Sequence, residues 1–294
     1  MPAHLPRLGS GLGYRKELAS DVAAAGEAID WLEVITEHYL FAPPDVRESL
    51  GELRRGRPLV PHGLELSLGS PEEPDPHYVQ ALAALVEEID APWFSDHICF
   101  TRAGGVSVGT LTPLPRSRGV ARDFARRAQG VQAAVGVPLI LENITYHLDL
   151  PHPLTEAEFL TELMEHCDCG LLLDLTNLDI NSRNHHYDVG EFLDTIPLER
   201  VVQVHLAGGI ESVDGTARDT HSAPVPEQVW QLLAELAGRT DLKATLVERD
   251  QDFPDDFSEL TAEIDRARRT ARFGAPRRTT GQAAGRPAGR AAGR

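Results

Sequence analysis

Short apolar runs alternate with amphipathic stretches along most of the chain. Eight runs read as strands: LGSGLGYR, WLEVITEHYL, LVPHGLELSLG, WFSDHICFT, PLILENITYH, LLLDLTNLDI, VVQVHLAGG and ATLVERD. Between them, VQALAALVEEID, RDFARRAQGVQAAVG, EAEFLTELMEHC, PEQVWQLLAELAG and SELTAEIDRARR carry apolar residues at helical spacing. Thr155 reads as a helix cap and Pro226 as a first-turn proline. Strand–helix alternation requires parallel strands joined by right-handed crossovers. Eight repeats predict a closed (β/α)8 TIM barrel, with a doubly wound open sheet as the alternative. The pattern predicts one domain over residues 1–273. Residues 274–294, GAPRRTTGQAAGRPAGRAAGR, hold almost no large apolar side chain and are expected to be a disordered tail.

A length of 294 residues suits one such barrel, which needs about 250. The formal net charge is −17, and the acidity lies in the body of the chain, because the tail is basic. An acidic body argues against a nucleic-acid face, which needs Lys and Arg to neutralise phosphate. Cys99, Cys167 and Cys169 do not make a disulfide framework and read as reduced, buried thiols. The start, MPAHLPRLGSGLGYR, lacks the apolar run of a signal peptide, and no stretch approaches the roughly 20 apolar residues of a membrane span. A cytoplasmic protein without a membrane partner is expected.

The chemistry is written where the apolar runs end. His62 follows LVP, His97 follows WFSD, Glu142 follows PLIL, Asp174 follows LLL, His205 follows VVQV and Glu248 follows ATLV. Parallel strands bring these positions to one mouth, the face where barrel enzymes keep their active sites. Neighbouring strands lie about 4.8 Å apart, so adjacent ends share a cation with ease. His62, His97 and Glu142 form one predicted set. Glu142, Asp174, His205 and Glu248 form another, bridged by Glu142. A single such residue is usually a hydrogen-bonded cap, but six at equivalent positions repel or go unsatisfied without a cation. Further candidates are Asp219, Thr220 and His221 in the loop after the seventh strand, and Asn177, Asp179, Asn184, His185 and His186 in the loop after the sixth. Imidazole and carboxylate ligands suit iron, manganese, zinc or cobalt.

At these residues the sequence resembles the multinuclear non-heme iron-dependent oxidases, which include the iron enzyme of methanobactin maturation and the enzyme of 3-thiaglutamate biosynthesis. The matching segments are GLGYR, WLEVITEHYL, VPHGLELSLGS, SDHICF, LILENITYH, LLLDLTNL, VHLAGG, DTHSAPVPEQVW and LVERD, in one order from about residue 11 to about residue 252. The resemblance implies a xylose-isomerase-like TIM barrel holding two or three irons. His62, His97 and Glu142 match the ligands of one iron. Glu142, Asp174, His205 and Glu248 match those of another, with Glu142, Asp174 and His205 at the catalytic centre. Asn177, Asp219 and His221 fall where a third iron's ligands would. Many members read HLAGH where this chain has Gly209, so the third iron lacks an imidazole. His38 stands where many have Asn. The implied activity is O2-dependent oxidation of a residue, cysteine by expectation, in a ribosomally synthesised precursor peptide, with a separate leader-binding partner protein.

Two other classes fit the same residues. A divalent-metal sugar isomerase or phosphodiesterase-like hydrolase would use similar ligands on the same barrel. A non-catalytic binding barrel would not need the six strand-end ligands.

Overall fold

The eight apolar runs each supply one strand to a closed, all-parallel barrel in the computed structural model, which describes residues 5–149 and 151–273. Twelve strands occur among the described residues. They are β1 (Gly9–Gly13), β2 (Leu32–Ile35), β3 (Leu59–His62), β4 (Phe94–His97), β5 (Phe100–Ala103), β6 (Val106–Thr112), β7 (Leu139–Glu142), β8 (Gly170–Asp174), β9 (Val201–Leu206), β10 (Gly208–Glu211), β11 (Ala217–Ala223) and β12 (Ala244–Val247). The barrel order is β1-β12-β9-β8-β7-β4-β3-β2, which excludes the open sheet. The remaining four strands form two antiparallel hairpins, β5–β6 after β4 and β10–β11 after β9. Both follow barrel strands directly and therefore stand at the mouth. The expected tail from Gly274 lies outside the described residues.

The helices are α1 (Ala19–Ala25), α2 (Pro44–Leu53), α3 (Pro76–Ile89), α4 (Arg118–Val135), α5 (Glu156–His166), α6 (Leu175–His185), α7 (Val189–Thr195), α8 (Glu227–Arg239) and α9 (Ser258–Thr270). Thr155 opens α5 with a full capping box, its side chain bonded to Glu158 N and Glu158 bonded back to Thr155 N. Pro226 is the N-cap of α8, one residue before the first-turn position expected of it. The LTNLDI stretch corrects the sequence reading more substantially. It is neither strand nor loop but the start of α6, because the Asp174 side chain accepts from Thr176 N and Asn177 N and caps the helix. No helix among the described residues is long and apolar enough to cross a membrane.

Strand side chains alternate between faces, so residues two or four apart share one. Val60 and His62, Trp93 and His97, Ile140 and Glu142, Leu172 and Asp174, and Leu246 and Glu248 are such sets. The first members pack with Trp31 into one buried cluster, separate from the main core. An apolar plug thus fills the barrel beneath a polar layer at the mouth. At Gly11 of β1 this plug leaves no room for a side chain. A Cβ on Gly11 would lie 2.6 Å from the Trp31 ring. Gly11→Ala is expected to destabilise the fold by about 1–3 kcal/mol, as overpacking of a filled core does, read from the urea midpoint. A midpoint equal to that of the parent would show that Trp31 yields freely.

Candidate metal centre

The register of the barrel sets the site. His97 pairs with Glu142 across β4 and β7, and Asp174 pairs with His205 across β8 and β9. His62, His97, Glu142, Asp174, His205 and Glu248 are all buried, with Asp174 and His205 at 0% exposure.

His62 Nε2 lies 3.3 Å and His97 Nε2 3.4 Å from the same oxygen, Glu142 Oε2. His97 Nδ1 lies 3.0 Å from Gly63 O, a carbonyl that can only accept, so the ring proton is on Nδ1. His97 therefore turns the Nε2 lone pair toward a carboxylate oxygen that itself has no hydrogen-bond partner. Two acceptors facing each other in a buried site require a cation or a proton between them. Burial, with His97 and His205 nearby, holds His62 well below the usual imidazole value, and burial lowers His97 to about 4. Both imidazoles are neutral at pH 7, as metal ligation requires.

On the other side of Glu142, its Oε1 lies 3.5 Å from His205 Nδ1, and Glu248 Oε2 lies 3.3 Å from the same nitrogen. Donor atoms of Glu142, Asp174 and His205 lie within 4.8 Å of one another, and so do those of Asp174, His221 and Glu248. His221 Nε2 is 2.7 Å from Asp219 Oδ1. The buried atoms Asp174 Oδ2 and His205 Nδ1 have no hydrogen-bond partner, like Glu142 Oε2. Buried polar atoms are ordinarily paired, so the unsatisfied Glu142 Oε2, Asp174 Oδ2 and His205 Nδ1, with the His221–Asp219 pair beside them, form a donor set that fits cations. Burial raises Glu142 to about 7, and burial with the Glu142 and Asp219 charges raises Asp174 to about 8. His221 takes a left-handed backbone, φ 47°, uncommon for a residue with a side chain.

The other candidates fall differently. The DTH triplet belongs to hairpin strand β11 and not to a loop. Asn177 sits on α6 at the site, with its amide oxygen bonded to Thr145 and its nitrogen 3.1 Å from Asn143 O. Asp179 pairs with Arg183, Asn184 braces Ala217, and His185 stacks on Tyr146 at 4.4 Å. His186 ends α6, and His38 is exposed. Asp179, His185, His186 and His38 belong to none of the grouped donors. At Gly209, a Cβ would lie 2.2 Å from Arg218 O of the opposing hairpin strand.

Sequence reasoning missed four residues. Arg15 pairs with Glu248 at 3.1 Å and with Asp250, and Asp250 lies 3.2 Å from His221 Nδ1. Glu33 Oε2 lies 3.2 Å from His205 Nε2 and 2.6 Å from Gln203 Nε2. The signal available for Glu33 and Gln203 was a polar residue inside an otherwise apolar strand. Above the donor layer opens a cavity of about 1120 Å³. Arg15 is its sole Arg or Lys among the described residues, and Phe100, Leu111, Ile144 and Tyr146 give it apolar walls.

Over residues 9–272 the chain matches the family described as RiPP precursor modification enzyme MbnB/TglH/ChrH. A UPF0276 protein of Streptomyces avermitilis is 39% identical over 275 residues, covering 90% of this chain and 55% of that protein. The chain thus spans about half the length of that relative. A UPF0276 protein of Anaeromyxobacter is 35% identical over 248 residues, covering 84% of this chain and 87% of that one. Among solved structures, the 3-keto-D-glucoside 4-epimerase of E. coli aligns with TM-score 0.59 at 15% identity, covering 90% of this chain and 99% of that one. Endonuclease IV of Thermus thermophilus aligns with TM-score 0.55 at 18% identity, covering 90% and 98%. Those two likenesses are of fold alone. The match over nearly the whole described body places the chain in a family, and it belongs to the RiPP precursor modification enzymes of the MbnB/TglH/ChrH type.

Proposed function

We propose that the chain is an iron-dependent, O2-using oxidase that modifies a residue, cysteine, of a ribosomally made precursor peptide in the cytoplasm. One observation carries this reading most: Glu142 presents one oxygen to His62 and His97 and the other to His205, at the floor of a large open cavity. A carboxylate shared in this way suits adjacent cations, typically about 3.5–4 Å apart in such sites. His62, His97 and Glu142 would hold one iron, and Glu142, Asp174, His205 and Glu248 a second. Asp174, Asp219 and His221, with Asn177 alongside, would hold a third more loosely. Bound iron would supply one-electron chemistry and lower the pKa of a coordinated thiol.

The chain's own groups do the rest. His97 keeps its Nε2 lone pair free by donating its Nδ1–H to Gly63 O. Arg15 holds Glu248 and Asp250 at the rim and offsets part of the carboxylate charge. The apolar walls of the cavity exclude water from an inserted side chain, while its opening admits an extended segment. A separate protein presenting the peptide's leader completes the reading.

The first test is elemental analysis of tag-free protein purified without added metal or chelator, followed by O2 consumption with precursor peptides encoded nearby. Two or more irons per chain and peptide-dependent O2 uptake are expected. Zinc, manganese or magnesium alone, persisting after iron reconstitution, would favour isomerase or hydrolase chemistry. No metal after reconstitution would overturn the ligand assignment.

A further inference from the structure

We infer that Glu33 is the positioning residue for His205: its carboxylate accepts a hydrogen bond from Nε2–H and thereby leaves the Nδ1 lone pair for the cation shared with Glu142. The inference rests on the proposed reading of His205 as a metal ligand.

Glu33 stands in β2, and β1 and β12 separate that strand from β9 in the barrel wall. Its side chain therefore reaches His205 across the barrel interior, where it is 3% exposed. Glu33 Oε2 lies 3.2 Å from His205 Nε2. The opposite ring nitrogen, Nδ1, faces Glu142 and Glu248 without a hydrogen-bond partner.

Gln203 removes the ambiguity of its own amide. Indole N–H can only donate, and Trp93 Nε1 donates to Gln203 Oε1 at 2.9 Å. Gln203 Nε2 therefore faces Glu33 Oε2 at 2.6 Å and His205 Nε2 at 3.0 Å. Two arrangements compete at that imidazole nitrogen. A bare Nε2 would accept from Gln203 and leave the proton on Nδ1, aimed at the metal side. A protonated Nε2 donates to Glu33 and frees Nδ1. The carboxylate decides, because a hydrogen bond to an ionised acceptor is roughly twice as strong as a neutral one. Carboxylate–histidine–metal arrangements of this kind fix ring orientation and ligand basicity.

The experiment is anaerobic Co(II) titration of the metal-free full chain, read by visible absorption and metal content. The proteins compared are the parent, Glu33→Gln and the swap Glu33→Gln/Gln203→Glu. Glu33→Gln is expected to lose about 10–100-fold in affinity at one class of site and to change its absorption spectrum, with unchanged metal-free circular dichroism. The swap puts a carboxylate on the other neighbour of Nε2 and is expected to restore both affinity and spectrum. Parent-like affinity in Glu33→Gln would overturn the role of Glu33 while leaving the metal reading intact. A parent that takes up no Co(II) would overturn the metal reading and this inference with it. Should Glu33→Gln not fold, the swap decides: folding with parent-like affinity supports the inference, and folding without it overturns it.

Discussion

Alanine at Glu142 is expected to strip the chain of at least one cation and to cut activity by more than the roughly 10–100-fold that outer-shell changes cost. The reason is geometric. One Glu142 oxygen faces both His62 and His97, and the other faces His205, so a single truncation opens two donor groups together. Asp219 makes a useful contrast. It stands on a hairpin strand and touches the cluster through His221 alone among the grouped donors. Asp219→Ala is expected to lose less metal than Glu142→Ala. Metal content per chain, measured with circular dichroism as a folding control, checks both variants. Equal loss in the two would dissolve the shared-carboxylate layout.

A second large effect concerns pH. Without metal, net stability is expected to fall between about pH 6.5 and 8, while cation affinity rises over the same window. Burial raises Glu142 to about 7, and burial with neighbouring charge raises Asp174 to about 8. In the unfolded chain such carboxyls titrate near 4, so above that the folded state holds protons the unfolded chain has released. The resulting stability is complete below about pH 4 and is lost as pH passes through the folded values. His205 and His221 act in the same direction. Against the penalty of burial, Glu33 and Glu142 hold the first above its ordinary value, and Glu248 and Asp219 the second. Opposing groups act in acid. Despite burial, His221 and His205 hold Glu248 well below the carboxylate range, and its contribution fades only as pH falls through that low value. Burial lowers His62 and His97, whose contribution is present above about 6.5 and is lost as pH falls through the folded values, about 4 for His97. A cation displaces the protons on Glu142 and Asp174, so affinity gains about tenfold per pH unit for each proton released. Urea unfolding across this range, with chelator and with metal, tests both statements. Flat or rising stability with chelator would contradict them.

The barrel was legible because its strands, buried on both faces, read as apolar runs, and because a polar residue two places after an apolar one shares its face. The polar residues that finish those runs gave His62, His97, Glu142, Asp174, His205 and Glu248. That pattern missed Glu33 and Gln203, which lie within the runs and point into the barrel like the plug around them. A polar side chain in mid-strand must find partners when buried, and the pair found Trp93 and His205. Helix α6 was misread because Leu175 and Leu178 continue the apolar texture of β8, while the break between them and the strand is made by one side chain, Asp174. The β5–β6 hairpin turns at Gly104 and Gly105, both at positive φ, a signal present in the sequence as AGGV. Arg15 and Asp250 depend on β1 and β12 being neighbours, which only closure of the barrel provides.

Gly209 bears on how such a site can change over descent. Its missing side chain is matched by the hairpin itself, for the Arg218 carbonyl occupies the space a Cβ would need, and Gly208 is hemmed in by Ala223 and Pro224 in the same way. A histidine at 209 would meet main chain before it met a cation. A side chain at 209 therefore requires the hairpin to shift away from it, so the residue at this position and the path of the hairpin are one coupled choice.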